Sequence, residues 1–208
     1  PDYHLPTTAC TIQTRLGLSQ KITAIDVNLG CSGFVTGLSL AKAVIVSGQA
    51  HNVLLLTAET YSKYMHERDK SNRTIFGDGA AATLVSTEGI ARIGNFVIGT
   101  DGTGAENLIV KTGCARNPKP LNDLKFDDYD NPRSSDNLYM DGPAILNYSL
   151  ESIPQLFKDV LDKNGEEKDG IDLHVYHQAN IFLANLERRK LKIAPEKYYV
   201  NISRVGNT

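Results

Sequence analysis

Apolar positions along this chain alternate between short continuous runs and spacings of three and four residues. Residues 7–18 carry Cys10, Ile12 and Leu16 at a loose helical spacing, with Gly17 near the end, and predict a short helix. Residues 22–27, "ITAIDV", predict a buried strand. Residues 32–47 place Phe34, Leu38, Ala41 and Ile45 three or four apart, the period of a helix that Gly48 would stop. "NVLLLTA" at 52–58 predicts a second buried strand, and "TIFGDGAAATLVS" at 74–86 a glycine-rich turn feeding a third. Between 88 and 139 glycine, asparagine, aspartate and proline accumulate, which predicts a long surface excursion with a hairpin or two, a candidate cover for a site. Residues 142–164 read as a helix buried along Ile145, Tyr148, Ile153, Leu156 and Val160, with a kink or break at Pro154. A strand in "DLHVYHQAN", a helix in "IFLANLERRKLKI" and a strand with a turn in "KYYVNISRVGNT" complete the pattern. Helices alternating with strands predict a layered α/β architecture.

Composition narrows the function classes. With 208 residues, 41% hydrophobic and 22% charged, the chain can bury a real core. A formal charge of −2 gives no global attraction to nucleic acid or to an anionic membrane. No apolar run approaches the ~18 residues of a membrane span. Cys10, Cys31 and Cys114 are odd in number and far apart, so they suggest neither a disulfide framework nor a metal site, and reduced thiols fit a cytoplasmic setting. The chain opens on Pro1 and stops at Thr208 just past a predicted strand and turn, so a piece of a longer protein, incomplete at both ends, is expected.

One cysteine stands out. In "NLGCSGF", 28–34, Cys31 lies between glycines where a strand gives way to a helix. Two readings are open: a small buried thiol, or a nucleophile whose pKa the helix N-terminus lowers from ~8.5. His177 and Asn207 sit at comparable places, each after a predicted strand. Alone, His177 reads as a structural histidine and Asn207 as a turn residue. In open α/β sheets, however, ligands gather beyond the carboxyl ends of strands, where three such groups can meet.

"DVNLGCSGF", "IFGDGAAATLV", "YHQAN" and "NISRVGNT", in this order, with "PDYHLPTTACTIQTRLGL" upstream, resemble the ketoacyl-acyl-carrier-protein synthase III family of the thiolase superfamily. Thirty positions separate His177 from Asn207, as that family's histidine and asparagine would be. The resemblance implies a thiolase-like layered αβαβα fold. Residues 1–88 would be the remainder of an N-terminal half carrying the nucleophile, 89–139 connecting and covering loops, and 140–208 the start of a C-terminal half. It implies that Cys31 takes an acyl group from acyl-CoA, and that His177 and Asn207 hold the thioester carbonyl of malonyl-acyl carrier protein during decarboxylative condensation. No metal and no cofactor beyond these thioester substrates is implied. Asn180 would order the pocket; Gly77 and Gly79 would shape a turn near it and Asp78 would anchor backbone N–H groups. Leu5 would reach the partner's acyl pocket in a cytoplasmic homodimer. Arg188, Arg189, Lys190 and Lys192 would offer a docking surface to an acidic carrier protein.

The likeness has departures. Asn28, Leu29 and Gly30 stand where the family has alanines, Pro143 where an asparagine contacts pantetheine, and Phe182 where an arginine meets the carrier. Acyl donor and carrier choice therefore stay open. The competing functions are acyl transfer to an alcohol or amine without carbon–carbon bond formation, and an inactive partner subunit. A Cys/His/Asn hydrolase is a third, although its local cysteine signature is missing and the chain has no tryptophan.

Overall fold

Residues 2–208 are described by the structure, a computed structural model. Helix α1, Thr8–Arg15, begins where the Asp26 carboxylate accepts from the backbone N–H groups of Thr8 and Ala9, both at 2.8 Å. These are two of the donors that a helix start leaves without an internal partner. The same contact ties α1 to residues 22–27. That segment belongs to no helix or ladder among the described residues, and Ile25 is 67% exposed. The expected buried strand is corrected here. Its apolar run supplies strand propensity, but burial requires a neighbouring strand, and no described segment lies alongside.

Helix α2, Gly33–Val46, packs on strand β1, Asn52–Glu59, which pairs antiparallel with β2, Gly79–Ser86, from Asn52↔Ser86 to Glu59↔Gly79. A Cβ on Gly37 would lie 2.7 Å from Leu55 Cδ1, so the missing side chain sets how closely α2 approaches the sheet. Burial along β1 alternates: Val53, Leu55 and Thr57 are half-buried, while Leu54 and Leu56 are exposed. Opposite Leu54 stands Leu84, 68% exposed. The sheet is thus covered on one face only, whereas the run of leucines predicted burial on both.

The excursion is more ordered than its composition suggests. Strands β3, Leu108–Ile109, and β6, Tyr139–Met140, pair antiparallel, as do β4, Lys125–Phe126, and β5, Pro132–Arg133. Carboxylates hold the loops between them. Asp136 accepts from the N–H groups of Leu121 and Asn122 and from the Thr112 hydroxyl, each at 2.8 Å.

Helix α3, Gly142–Asn164, is capped by Asp141, whose side chain accepts from Ala144 N–H at 2.9 Å, and ends on Gly165 at φ +67°. It runs unbroken through Pro154, contrary to the expected interruption. Proline has no N–H to give the Leu150 carbonyl four residues back; Lys190 Nζ of helix α4, Ile181–Lys190, donates to that carbonyl instead. The two helices meet over the main core of Ala184, Leu191, Ile193 and Tyr198, flanked by Ile153, Phe157 and Tyr176. A short helix α5, Ile202–Val205, leads to the end of the chain. The expected strands around 172–176 and 197–200 reduce to one parallel bridge, His174↔Tyr198.

The surface totals 14904 Å², against about 9,600 Å² for a compact monomer of this mass. The excess includes the open sheet face and residues 22–27. Among the described residues no helix is long and apolar enough to cross a membrane.

Replacing Gly37 by valine should lower the stability of the full-length protein by about 1–3 kcal/mol, because Leu55 and α2 must move apart. Gly142→Ala, where nothing lies within 4 Å, is the control and should be neutral or mildly stabilising. Thermal unfolding of both variants checks the pair.

Candidate active site

The turn that carries Cys31 is closed by Gly33 N–H donating to Gly30 C=O at 2.7 Å, two residues before the sulfur's own chain enters α2. Ser32, the N-cap residue, makes no side-chain capping bond. Cys31 is reachable by solvent, yet enough protein crowds it that burial pushes the thiol above its ordinary pKa; its own backbone N–H offsets this in part. The direction is opposite to the lowering expected of a helix N-terminus, and desolvation of the thiolate is its main cause.

A residue that carried no motif stands beside this turn. The Tyr61 hydroxyl is 3.5 Å from the point where a Cβ on Gly30 would sit. Its phenol is pushed above the ordinary range by burial first, then by the charges of Cys31, Glu59 and Tyr64. The Tyr61 ring stacks on Phe76, with centroids 5.1 Å apart and planes at 23°. Phe76 in turn forms a parallel bridge with Asn207. Asn207 N–H donates to Ile75 C=O, and Gly77 N–H donates to Asn207 C=O, both at 2.9 Å.

Glycines make that bridge possible. A Cβ on Gly77 would stand 2.8 Å from Thr208 Cγ2 and 3.1 Å from the Val205 carbonyl oxygen, and one on Gly79 3.0 Å from Thr208 Cβ. Gly206 takes φ +72° and lies against the Ile75 carbonyl. Between the two glycines, Asp78 accepts from Ser62 N–H at 2.9 Å and from its hydroxyl at 2.5 Å. Those bonds hold the turn that presents Tyr61, and they keep the Asp78 carboxyl below its usual range. Asn207 itself is buried.

His177 follows the His174↔Tyr198 bridge, which is closed by His174 N–H to Lys197 C=O at 2.7 Å and Tyr199 N–H to His174 C=O at 2.9 Å. Its neighbour Gln178 donates to Tyr199 C=O and accepts from Asn201 N–H, so the segments leading to His177 and Asn207 are laced together. Burial lowers the His177 pKa. Asn180 is the N-cap of α4, accepting from Leu183 N–H at 2.8 Å, and so fixes the helix that starts four residues after the histidine. The structure thus connects the Cys31 turn to Asn207 through Tyr61 and Phe76, and His177 to the same terminal segment through Gln178. Among the described residues no hydrogen bond joins the three side chains directly.

The remaining predicted residues lie apart. Leu5 is 85% exposed. Of the basic cluster, Arg188 donates to Ile193 C=O beyond the end of α4 and Lys190 to Leu150 C=O inside α3, while Arg189 and Lys192 are exposed. A recess of about 310 Å³, which the sequence did not announce, is lined by Glu67, Arg68, Asp69, Lys70 and Arg73. Among the described residues no group of three His, Cys, Asp or Glu side chains could hold a metal ion.

Comparison with known proteins follows the same motifs. Residues 25–102 match the 3-oxoacyl-[acyl-carrier-protein (ACP)] synthase III family, and residues 161–208 match its C-terminal part. The chain is 32% identical over 210 residues to a beta-ketoacyl-[acyl-carrier-protein] synthase III of Caldanaerobacter subterraneus subsp. tengcongensis, covering 100% of this chain and 61% of that protein. It is 34% identical over 209 residues to the protein of that name from Clostridium novyi, again covering 61% of it. A crystal structure of a 3-oxoacyl-(acyl-carrier-protein) synthase III shares 50% identity at a TM-score of 0.96, with 100% of this chain and 63% of that one covered. The enzyme from Burkholderia xenovorans LB400 shares 37% at a TM-score of 0.86, with 100% and 58% covered. The chain spans about three fifths of the length of these relatives. Its fold is the mixed α/β, thiolase-like fold of those enzymes, and the chain belongs to the 3-oxoacyl-[acyl-carrier-protein] synthase III family.

Proposed function

We propose that the whole protein is an acyltransferase that joins an acyl group from acyl-CoA to a malonyl group on acyl carrier protein, with loss of carbon dioxide. The observation that carries this reading is the glycine-lined bridge at Asn207, one aromatic stack away from the Cys31 turn. Family membership supports the same chemistry.

In the first half-reaction Cys31 gives up its proton and the thiolate attacks the acyl-CoA carbonyl. The new carbon–sulfur bond forms, the bond to the CoA sulfur breaks, and CoA leaves as a thiol with the proton. The Cys31 N–H is placed to donate to the oxyanion. In the second half-reaction the malonyl thioester loses carbon dioxide, and the electrons of the broken bond become an enolate. His177, kept neutral by its lowered pKa, and the Asn207 amide are donors suited to that oxygen. The enolate carbon attacks the acyl-enzyme, Cys31 leaves as the thiolate, and a 3-oxoacyl thioester departs on the carrier. Lys70 and Arg73, both exposed at the 310 Å³ recess, offer positive charge to the CoA phosphates. Arg189 and Lys192 remain for the acidic carrier, and Leu5 for the acyl pocket of a second subunit in a cytoplasmic homodimer.

Three outcomes are expected of the full-length protein. Acetyl-CoA should add one acetyl mass at Cys31, and Cys31→Ala should abolish the addition; intact-mass and peptide mass spectrometry read both, and an unmodified wild-type sulfur sinks the proposal. His177→Ala and Asn207→Ala should slow carbon dioxide release from malonyl thioester by about 100- to 1000-fold while Cys31 still takes the acyl group. Gly77→Ala should fall in the same class with a smaller loss, since its new methyl group pushes Asn207's neighbours away. The third concerns pH. A raised thiol pKa means that less thiolate is present at any given pH, so alkylation of Cys31 by iodoacetamide should rise with pH at higher values than a free cysteine peptide measured alongside. A midpoint below that of the peptide would contradict the buried environment.

A further inference from the structure

The Tyr61 hydroxyl has no hydrogen-bond partner among the described residues, although it lies beside the turn that carries the nucleophile. It is not free to search for one. Its ring is stacked on Phe76, and the Tyr64 ring stands edge-on with centroids 6.4 Å apart. The next residue, Ser62, is tied to Asp78 by two bonds, and Phe76 is fixed by the Asn207 bridge. Burial first, and then the charges of Cys31, Glu59 and Tyr64, hold the phenol above its ordinary range, so it stays protonated and is a donor. A fixed donor without a protein acceptor points at a ligand acceptor. An alkyl chain laid against it would strip its water and return nothing, whereas an oxygen on the chain would replace that water.

We propose that Tyr61 is a specificity-determining residue that selects acyl groups carrying an oxygen acceptor, a hydroxyl or carbonyl near the thioester end, over plain alkyl groups of the same length. The inference rests on Cys31 being the acylated residue, as proposed above, and it adds the class of acyl group. Acylation itself is the thioester exchange already written, with no further reactant.

The test uses the full-length protein with butanoyl-CoA and 3-hydroxybutanoyl-CoA, following acylation of Cys31 by intact mass in single turnover. Wild type should be acylated about tenfold faster by the hydroxylated thioester, the worth of one neutral hydrogen bond. Tyr61→Phe keeps the stack on Phe76 and removes only the oxygen, so the ratio of the two rates should fall close to one. 3-Oxobutanoyl-CoA, an acceptor without a donor, should behave like the hydroxylated thioester. A wild-type ratio of one or below, or a ratio that survives Tyr61→Phe, overturns the proposal. The wild-type comparison stands even if the variant folds poorly. Failure of every thioester to modify Cys31 instead refutes the condensing reading and takes this inference with it.

Discussion

The parallel contact between residues 75–77 and Asn207 is the constraint on which the site depends. Two backbone hydrogen bonds of 2.9 Å are a modest interaction, worth about 1 kcal/mol each. Their importance is positional. They join segments more than a hundred residues apart in sequence, and they do so only because Gly77, Gly79 and Gly206 leave room for Val205 and Thr208. Any side chain at Gly77 would meet a carbonyl oxygen, which cannot turn aside as a flexible side chain can. The glycines in this motif therefore act through distance, by letting Asn207 stand where a bulkier backbone neighbour would hold it off.

The nucleophile's environment follows from the same packing. A helix N-terminus favours a thiolate, yet Cys31 is held above its ordinary pKa because crowding removes water from the anion. The thiol is thus mostly protonated at rest, and the proposed acyl transfer depends on lowering that cost as the substrate arrives. Oxyanion donors do so by stabilising charge as it leaves the sulfur for the carbonyl oxygen. His177 is crowded in the same sense, and there burial helps, since a neutral imidazole can sit beside an enolate as a hydrogen-bond donor without carrying a buried charge of its own.

Much of this was legible in the sequence. The period of 32–47 and 142–164 located α2 and α3 to within a residue, because amphipathic spacing, with the stop at Gly48, is a local signal. The motifs around Cys31, His177 and Asn207 named the candidate residues, and the structure links their segments through Tyr61, Phe76 and Gln178. What failed was whatever depended on a distant partner. Residues 22–27 have the composition of a strand and no strand beside them. Pro154 predicted a break because nothing local says that Lys190, thirty-six residues on, will cap the carbonyl it frees. The same lysine looked like part of a docking surface for the same reason. Tyr61 was missed because "AETYSKY" carries no motif, and its meaning lies wholly in the contact with Gly30.

In the proposed reaction, Tyr61 stands between the groups assigned to the two half-reactions. Its hydroxyl faces the turn of Cys31, and its ring leans on Phe76, whose backbone is bonded to Asn207. On the proposed reading, an acyl group that presses on Tyr61 presses, through one aromatic stack, on the backbone bridge that holds Asn207. Close-packed groups transmit such displacements rather than absorb them. If the proposed chemistry holds, such a site links the group on the Cys31 sulfur to the placement of the Asn207 amide through packing alone.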